Sequence, residues 1–408
     1  MKRAYILILV VTDLFVFATI SFATIRYVPS QYTSIQSAIS ACVDGDTIFV
    51  AKGIYTENIN FLGKQILLRA TGKPGEVVID GNHKAATVQF ISGEGSQTIL
   101  DGFKIINGEN SYGGGIYFSG SSPTIRNCII TANHGFYHGG IGIFSGSNPN
   151  ILNCIIYGNS AVQSAVGIDQ SSPSIINCTI VMNAGSAIFC WNSGNPIIAN
   201  NILAFNSGYG VYRYGSANPT LRKNDVYADT SGLYYSVNAG MDDFFSDPLF
   251  VSAIDADFNL GPNSPCISVA LKEFSPNYDA YGHVRPLGSW FDIGAIEEYD
   301  GGAILSVENS QQQVIPEDFV LKQNYPNPFN PSTIIEYTLQ NESNVAIRIF
   351  DIKGALIKNT HQGLQVSGTH EFLWNGTNNA GLQVSSGVYF YNVEVNNIQQ
   401  TRKMVLLK

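Results

Sequence analysis

The sequence predicts an all-β chain, a parallel β-helix solenoid followed by a small β-sandwich, and three observations carry that prediction. Charged residues make up only 13% of the 408, while 40 are glycine and 12% are aromatic, a balance suited to short strands and turns. A segment of 23 to 26 residues recurs through the middle of the chain. Beyond Tyr299 the composition shifts to alternating apolar and polar residues punctuated by Gly, Asn and Pro. At this length one ordinary compact core is not expected, and an elongated repeat domain with an appendage fits.

The chain opens on MKRAYILILVVTDLFVFATISFA. Lys2 and Arg3, the apolar stretch Tyr5 to Ile20 and the small-x-small end Ser21-Phe22-Ala23 read as a secretory signal peptide over 1–23. Asp13 in the apolar stretch argues against retention as a membrane anchor. No later segment is apolar enough to span a bilayer, so no transmembrane helix is expected in the mature chain. Without the leader the formal charge moves from −9 to −10 (20 basic against 30 acidic), which leaves no basic footprint for nucleic acid.

Next comes a short helix. Thr33 or Ser34 can cap it, and Ile35, Ala38, Ile39 and Cys42 recur at i, i+3, i+4 and i+7, one apolar face to cover the first coil of a solenoid whose bare end would expose its interior.

The repeat is clearest from residue 121 to 232. SSPTIRNCIITANHG (121–135), SNPNILNCIIYGNS (147–160), SSPSIINCTIVMNAG (171–185), GNPIIANNILAFNSG (194–208) and ANPTLRKNDVYADTSG (217–232) superpose without gaps on Pro123, Pro149, Pro173, Pro196 and Pro219. Two residues after each proline stands Ile125, Ile151, Ile175, Ile198 or Leu221. Five after stands Cys128, Cys154, Cys178, Asn201 or Asn224, and seven after Ile130, Ile156, Ile180, Leu203 or Val226. The two-residue alternation makes these columns inward-facing ladders. Ten after each proline lies Asn133, Asn159, Asn183, Asn206 or Asp229, a polar column placed to bond adjacent coils and the backbone of the bend. Gly115-Ile116, Gly142-Ile143, Gly167-Ile168, Ala187-Ile188 and Gly210-Val211 are expected to begin a further strand. One copy is then one coil, paired in parallel with the next at about 4.8 Å.

Several of these segments carry a family resemblance. GDTIFVAKGIYTENINFLGKQILLRATG (45–72), DGFKIING (101–108), GGGIYFSGSSPTIRNC (113–128) and the later coils containing Asn-Cys resemble the pectin-lyase-like, right-handed β-helix repeat proteins of bacteria. DPLFVSAIDADFNLGPNSPCI and GHVRPLGSWFDIGAIE, within 247–297, resemble the segment that closes many such helices. That family usually has an aspartate after its SPxI element, where this chain has Ser268. The resemblance covers roughly 25–300 and implies a right-handed helix over 24–300 while saying little about activity.

After Asp300, residues 301–318 read as a polar linker. FVLKQNYPNPFNPSTIIEYTL (319–339), VAIRIFDIKGALI (345–357), HEFLWNGTNNAGLQVSSGVYFYNVEV (370–395) and TRKMVLLK (401–408) then give about seven strands of an immunoglobulin-like sandwich over 319–408. Sandwich physics does not itself require the run Asn324-Tyr325-Pro326-Asn327-Pro328-Phe329-Asn330-Pro331. With Gly387-Val388-Tyr389 and the terminal Lys403 to Lys408, that run resembles the C-terminal sorting domain of type IX secretion cargo of Bacteroidetes and related bacteria. The resemblance implies engagement of the type IX machinery through 319–408, and a product that is secreted or held on the outer-membrane exterior.

Candidate chemistry is sparse. The column of Cys128, Cys154 and Cys178 suits buried free thiols better than disulfides, because parallel in-register side chains do not favour the disulfide torsion, and no CxxC spacing suggests zinc. Polysaccharide lyases of similar architecture use carboxylate-bound Ca²⁺ with an arginine or lysine base. The matching candidates are Asp225, Asp229, Asp242, Asp243 and Asp247 near Arg222 and Lys223. Asp229 continues the asparagine column, so no cofactor is required; a Ca²⁺ site, if present, is expected at Asp242, Asp243 and Asp247. His134 and His138 read as surface turn residues. A binding role has more support: Tyr117, Phe144, Asp169, Phe189 and Tyr212 are expected in one outward column, with Trp191 and Tyr214 two positions further along. The expected partner is an extracellular polysaccharide bound by a monomer without established catalysis; a lyase or hydrolase of this fold and a structural adhesin are the alternatives.

Overall fold

The computed structural model describes residues 23–298, 319–339, 342–351, 355–395 and 398–407. The expected leader, apart from Ala23, and the expected linker 301–318 lie outside the described residues. The chain divides into two compact units between Leu305 and Ser306.

The first unit is a parallel solenoid with three sheets. The first sheet has nine strands, from Ile25–Val28 to Thr220–Arg222. The second has eight, from Gly53–Thr56 to Asp225–Tyr227, and the third eight, from Ile59–Asn60 to Gly232–Tyr235. Each coil lays down one strand in each sheet in that order. The inward columns follow the sequence: Ile125, Ile151, Ile175, Ile198 and Leu221 pair rung to rung in the first sheet, and Ile130, Ile156, Ile180, Leu203 and Val226 in the second. All are buried in one continuous core.

The bend between the first two sheets takes two residues. Its first member, Asn127, Asn153, Asn177, Asn200 or Lys223, sits at φ between 48° and 57°, left-handed backbone that asparagine tolerates better than most residues. Two polar ladders then run along the coils. Asn133, Asn159, Asn183 and Asn206 each give their backbone N–H and Nδ2 to Oδ1 of the next rung at 2.8–3.1 Å, ending at Asp229. The second begins as the cysteine column. The Cys154 N–H donates to Cys178 Sγ at 3.4 Å, the Cys178 N–H to Asn201 Oδ1, and Asn201 to Asn224 Oδ1. All six cysteines are buried and unpaired.

The thiols therefore occupy ladder positions. Cys178→Asn should extend the ladder by one rung, accepting from the Cys154 N–H and donating to the Ile151 carbonyl that the thiol now faces at 3.6 Å. We expect a change within about 1 kcal/mol in urea unfolding; a loss above about 3 kcal/mol would show that packing volume governs the column.

The N-terminal end is covered as its pattern predicts. Helix Ile35–Ala41 is capped by Ser34, whose Oγ accepts from the Ser37 N–H, and it buries Ile35, Ala38 and Ile39. The Glu57 carboxylate accepts from the free N–H groups of Ile35 and Gln36.

The segment expected to close the other end lies instead along the side. Phe258, Leu260, Cys266, Phe291, Ile293 and Ile296 pack on Ile155, Val181, Ile202 and Ala204, the outer face of the second sheet. The left-handed asparagines anchor this strap. Asn153 Nδ2 donates to the Tyr278 carbonyl, Asn177 Nδ2 to those of Asp292 and Gly294, and Asn200 exchanges hydrogen bonds with the Leu271 backbone. Ser268 takes φ 56° and gives its N–H to Asp292 Oδ1. The physical reason is apolar: the second sheet's outer strands are rich in Ile, Val and Ala, which need cover.

The second unit packs a three-stranded sheet (Phe319–Leu321, Thr333–Leu339, Gly368–Trp374) on a four-stranded one (Ser343–Asp351, Leu356–Gln365, Gly387–Val395, Ile398–Leu406). Tyr337, Ile347, Trp374, Tyr391 and Met404 are in its core.

Candidate functional site

The outer face of the third sheet carries the aromatic side chains. Strand pairing puts Gln89, Tyr117, Gly142, Gly167, Phe189, Tyr212 and Tyr235 in one outward column, and Ser119, Phe144, Asp169 and Trp191 in the column beside it, towards Tyr214. The residues expected in a single column thus reach one face but divide between two. The inward partners of Ile116 are Ile141 and Val166, not Ile143 and Ile168. Alternation cannot detect such an error, because sliding a strand by two residues preserves every in-or-out assignment. A bulge between His138 and Ile141 gives this strand one residue more than its partner in the next coil.

Gly142 and Gly167 would interrupt the aromatic column, and His138 fills the gap. Far from being a turn residue, His138 lies in strand His138–Phe144 and is 2% exposed. A Cβ on Gly167 would come within 2.2 Å of its ring. The imidazole stands 5.9 Å from Phe144 and 6.1 Å from Phe189. With Tyr117–Phe144 at 5.8 Å, Phe189–Tyr212 at 4.8 Å and Tyr212–Tyr235 at 4.6 Å, one chain of ring contacts crosses the coils from Tyr117 to Tyr235.

Burial pushes the His138 pKa down to about 4, so the ring is neutral. Ser164 Oγ donates to the Val166 carbonyl and so accepts from His138 Nδ1, at 2.8 Å. A buried serine whose proton is already committed and whose base is sealed under Phe144 and Phe189 is not arranged for nucleophilic catalysis. The pair holds the rings in register.

Exposure sorts the face. Phe189 is buried, whereas Tyr117, Phe144, Trp191, Tyr209 and Tyr212 are half-buried, and Tyr214 and Tyr235 are exposed. Tyr209 lies 5.6 Å from Tyr212 and 5.2 Å from Tyr235. The accessible platform is therefore Trp191, Tyr209, Tyr212, Tyr214 and Tyr235, carried on a buried Phe189. Asp169, across from Trp191, accepts from Asn192 Nδ2 at 2.7 Å. Sequence reasoning missed His138, Tyr209 and Tyr235. Tyr235 stands in the coil opened by Pro219, one 23-residue step beyond Tyr212, so the repeat spacing itself could have found it.

The acidic candidates do not converge. Asp243 ends the second ladder: Oδ1 accepts from the Asn224 N–H and Nδ2, and Oδ2 from the Tyr234 hydroxyl and the Gly240 N–H. Asp242 faces Arg222 at 3.4 Å, and Asp247 accepts from the Leu249 N–H. Asp225 lies under the strap, taking a hydrogen bond from Cys266 Sγ at 3.2 Å and another from the Ser246 N–H, and burial pushes its pKa up to about 6. Lys223 sits over the Phe244 ring. Among the described residues no group of three or more His, Cys, Asp or Glu side chains could hold a metal ion.

A family model of right-handed β-helix regions matches residues 66–241, and one of FlgD Ig-like domains matches 331–399. No curated protein matches the chain. Among solved structures, dimeric latent PorU from Porphyromonas gingivalis is 24% identical over 22% of this chain, which spans 9% of PorU's length, with a TM-score of 0.19. A pectin methylesterase mutant in complex with a hexasaccharide is 9% identical, covering 59% of this chain and 96% of its own, with a TM-score of 0.32. The tailspike protein 2 enzymatically active domain of bacteriophage CBA120 is 10% identical, covering 94% and 71%, with a TM-score of 0.26. The all-β class read from the sequence, a right-handed parallel β-helix followed by a small Ig-like domain, is the class observed.

Proposed function

We propose that the solenoid binds an extracellular polysaccharide on the outer face of its third sheet, without catalysis, in a chain exported by the leader and sorted through 319–408 by the type IX machinery. The observation that carries the binding reading is the continuous ring-to-ring contact from Tyr117 to Tyr235, with an accessible platform at its C-terminal end. Aromatic faces are electron-rich and attract the C–H faces of pyranose rings, and an apolar strip of this extent is ordinarily covered or used. Ca²⁺ has no part in the reading, and the binding unit is a monomer.

The test is affinity electrophoresis of the purified chain through gels containing polysaccharides, beside a variant carrying Trp191→Ala, Tyr212→Ala and Tyr214→Ala. We expect retardation of the parent and a loss of affinity of about tenfold or more in the variant. Equal retardation of parent and variant, or none for the parent, would sink the reading. Release of unsaturated or reducing ends by the parent would move the assignment to a lyase or hydrolase.

A further inference from the structure

Resting on that binding reading, we infer that the ligand is a neutral polysaccharide rather than a polyuronate, and that it lies along the solenoid axis. The first half of the inference is electrostatic. From Ile105 to Tyr212 the chain has one basic residue, Arg126, and two acidic ones, Glu109 and Asp169. Arg126 is on the first sheet, where its guanidinium and that of Arg69 share the Asp101 carboxylate at 2.9 and 2.7 Å. The third-sheet face therefore presents no cation before Arg213, whose register partner is the buried Cys190. Recognition of a uronate chain requires a positive charge at intervals along its length, most effectively a guanidinium fork for each carboxylate. This face presents a carboxylate beside Trp191 instead, on a chain whose formal net charge of −9 repels polyanions at long range.

What borders the rings suits hydroxyls. The bend that follows the third sheet is a ladder of small neutral polar groups. The Asn148 N–H donates to Ser122 Oγ, the Ser172 N–H to Asn148 Oδ1, and the Asn195 N–H to Ser172 Oγ. Asp169 and Asn192, joined at 2.7 Å, add an acceptor and an amide next to Trp191. An aromatic floor with a Ser/Asn margin can stack on pyranose rings and bond their hydroxyls without charge.

The second half is geometric. Ring contacts proceed from coil to coil rather than along a strand: Phe189, Tyr212 and Tyr235 are one coil apart in a single column. Rungs repeat at about 4.8 Å, comparable with the length of one sugar unit in an extended chain. A polymer laid along the axis meets a ring at successive rungs, whereas one laid across the sheet meets only the two outward residues of a strand.

The experiment measures affinity of the purified chain for a neutral panel (mixed-linkage β-glucan, glucomannan, xylan) and an acidic one (polygalacturonate, alginate) at ~0.02 M salt, where charge attraction is strongest. Oligosaccharides of two and six units from any polymer that binds follow. We expect a neutral polymer to bind at least about tenfold more tightly than either polyuronate, and its six-unit fragment to exceed its two-unit fragment by about tenfold or more. A polyuronate bound as tightly as any neutral polymer would overturn the neutral assignment and leave polysaccharide binding standing. Equal affinity of the two fragments would overturn the axial placement. No binding to any polymer would overturn the underlying reading with both.

Discussion

Asp229→Asn is expected to stabilise the solenoid at pH 8 by roughly 1–3 kcal/mol, although it removes a charge from the last rung of the asparagine ladder. In every earlier rung Nδ2 does two jobs that a carboxylate cannot. Asn206 Nδ2, for example, donates to the Ile180 and Ala204 carbonyls as well as to Asp229 Oδ1. In Asp229 the equivalent atom is Oδ2, buried and without a hydrogen-bond partner among the described residues. Desolvation, with a smaller contribution from the Asp225 charge, pushes the Asp229 carboxyl up to about 7. Its folded pKa therefore lies above the unfolded value of about 3.9. Stability from this group is fully present below pH ~4, falls as pH rises from ~4 to ~7, and is level above that. The parent should gain stability between pH 8 and pH 5, and Asp229→Asn should lose that share of the gain. A residual slope should persist, because Asp225, with a pKa of about 6, titrates in the same window. Urea midpoints of both proteins at pH 5 and pH 8 check this; a variant less stable than the parent at pH 8 would refute it.

Some of this was legible in the sequence and some was not, for identifiable reasons. Prolines 23 to 26 residues apart fix the first two strands of each coil, because a short invariant offset separates them from the inward isoleucines. The third strand follows a bend of variable length, and a two-residue slip there leaves the alternation intact, so the sequence alone places Phe144 and Asp169 in the column of Tyr117 rather than in the one beside it. His138 is polar and flanked by Tyr and Gly, a surface pattern; only the vacancy over Gly167, one coil away, lets it be buried. Asp243 resembles a loop carboxylate because its step from Asn224 is 19 residues, shorter than any earlier coil, yet it closes the column that runs through Asn201 and Asn224. In the sandwich, the run from Asn324 to Pro331 serves the fold as well as any sorting role. Asn324 Nδ2 donates to the Pro326 carbonyl and Thr333 Oγ1, its N–H donates to the Tyr391 hydroxyl, and Phe329 packs 5.5 Å from Trp374.

Arg285→Ala should be the most damaging single change, costing about 3–5 kcal/mol where the strap meets the second sheet. The Arg285 and Glu297 side chains are both fully buried, with Nη1 donating to Glu297 Oε2 at 2.6 Å. The same guanidinium donates to the carbonyls of Asp292 and Gly294, and Gly294 is itself the acceptor for Asn177. One cation thus ties a carboxylate, two turns of the strap and the asparagine that fastens the strap to the solenoid. Burial pushes the carboxyls of Glu297 and Asp292 upward, and Arg285 is the charge that opposes this rise in both. Without it they must either take up protons or be hydrated, and hydration requires the strap to lift. The expected signature is local: amide exchange across residues 266–297 accelerates, as does exchange in Ile155–Tyr157, Thr179–Val181 and Ile202–Ala204 beneath, while Ile125–Phe144 stay protected. Lowering the pH from 8 to 5 should return part of the protection, since protonating carboxyls whose folded pKa values are raised restores stability as pH falls. Arg285→Lys should fall between the two, keeping the charge but not the fork that reaches three acceptors. Unchanged exchange in 266–297 for Arg285→Ala at pH 8 would show that apolar contact alone, chiefly Phe258, Phe291 and Ile293 on Val181 and Ile202, holds the strap.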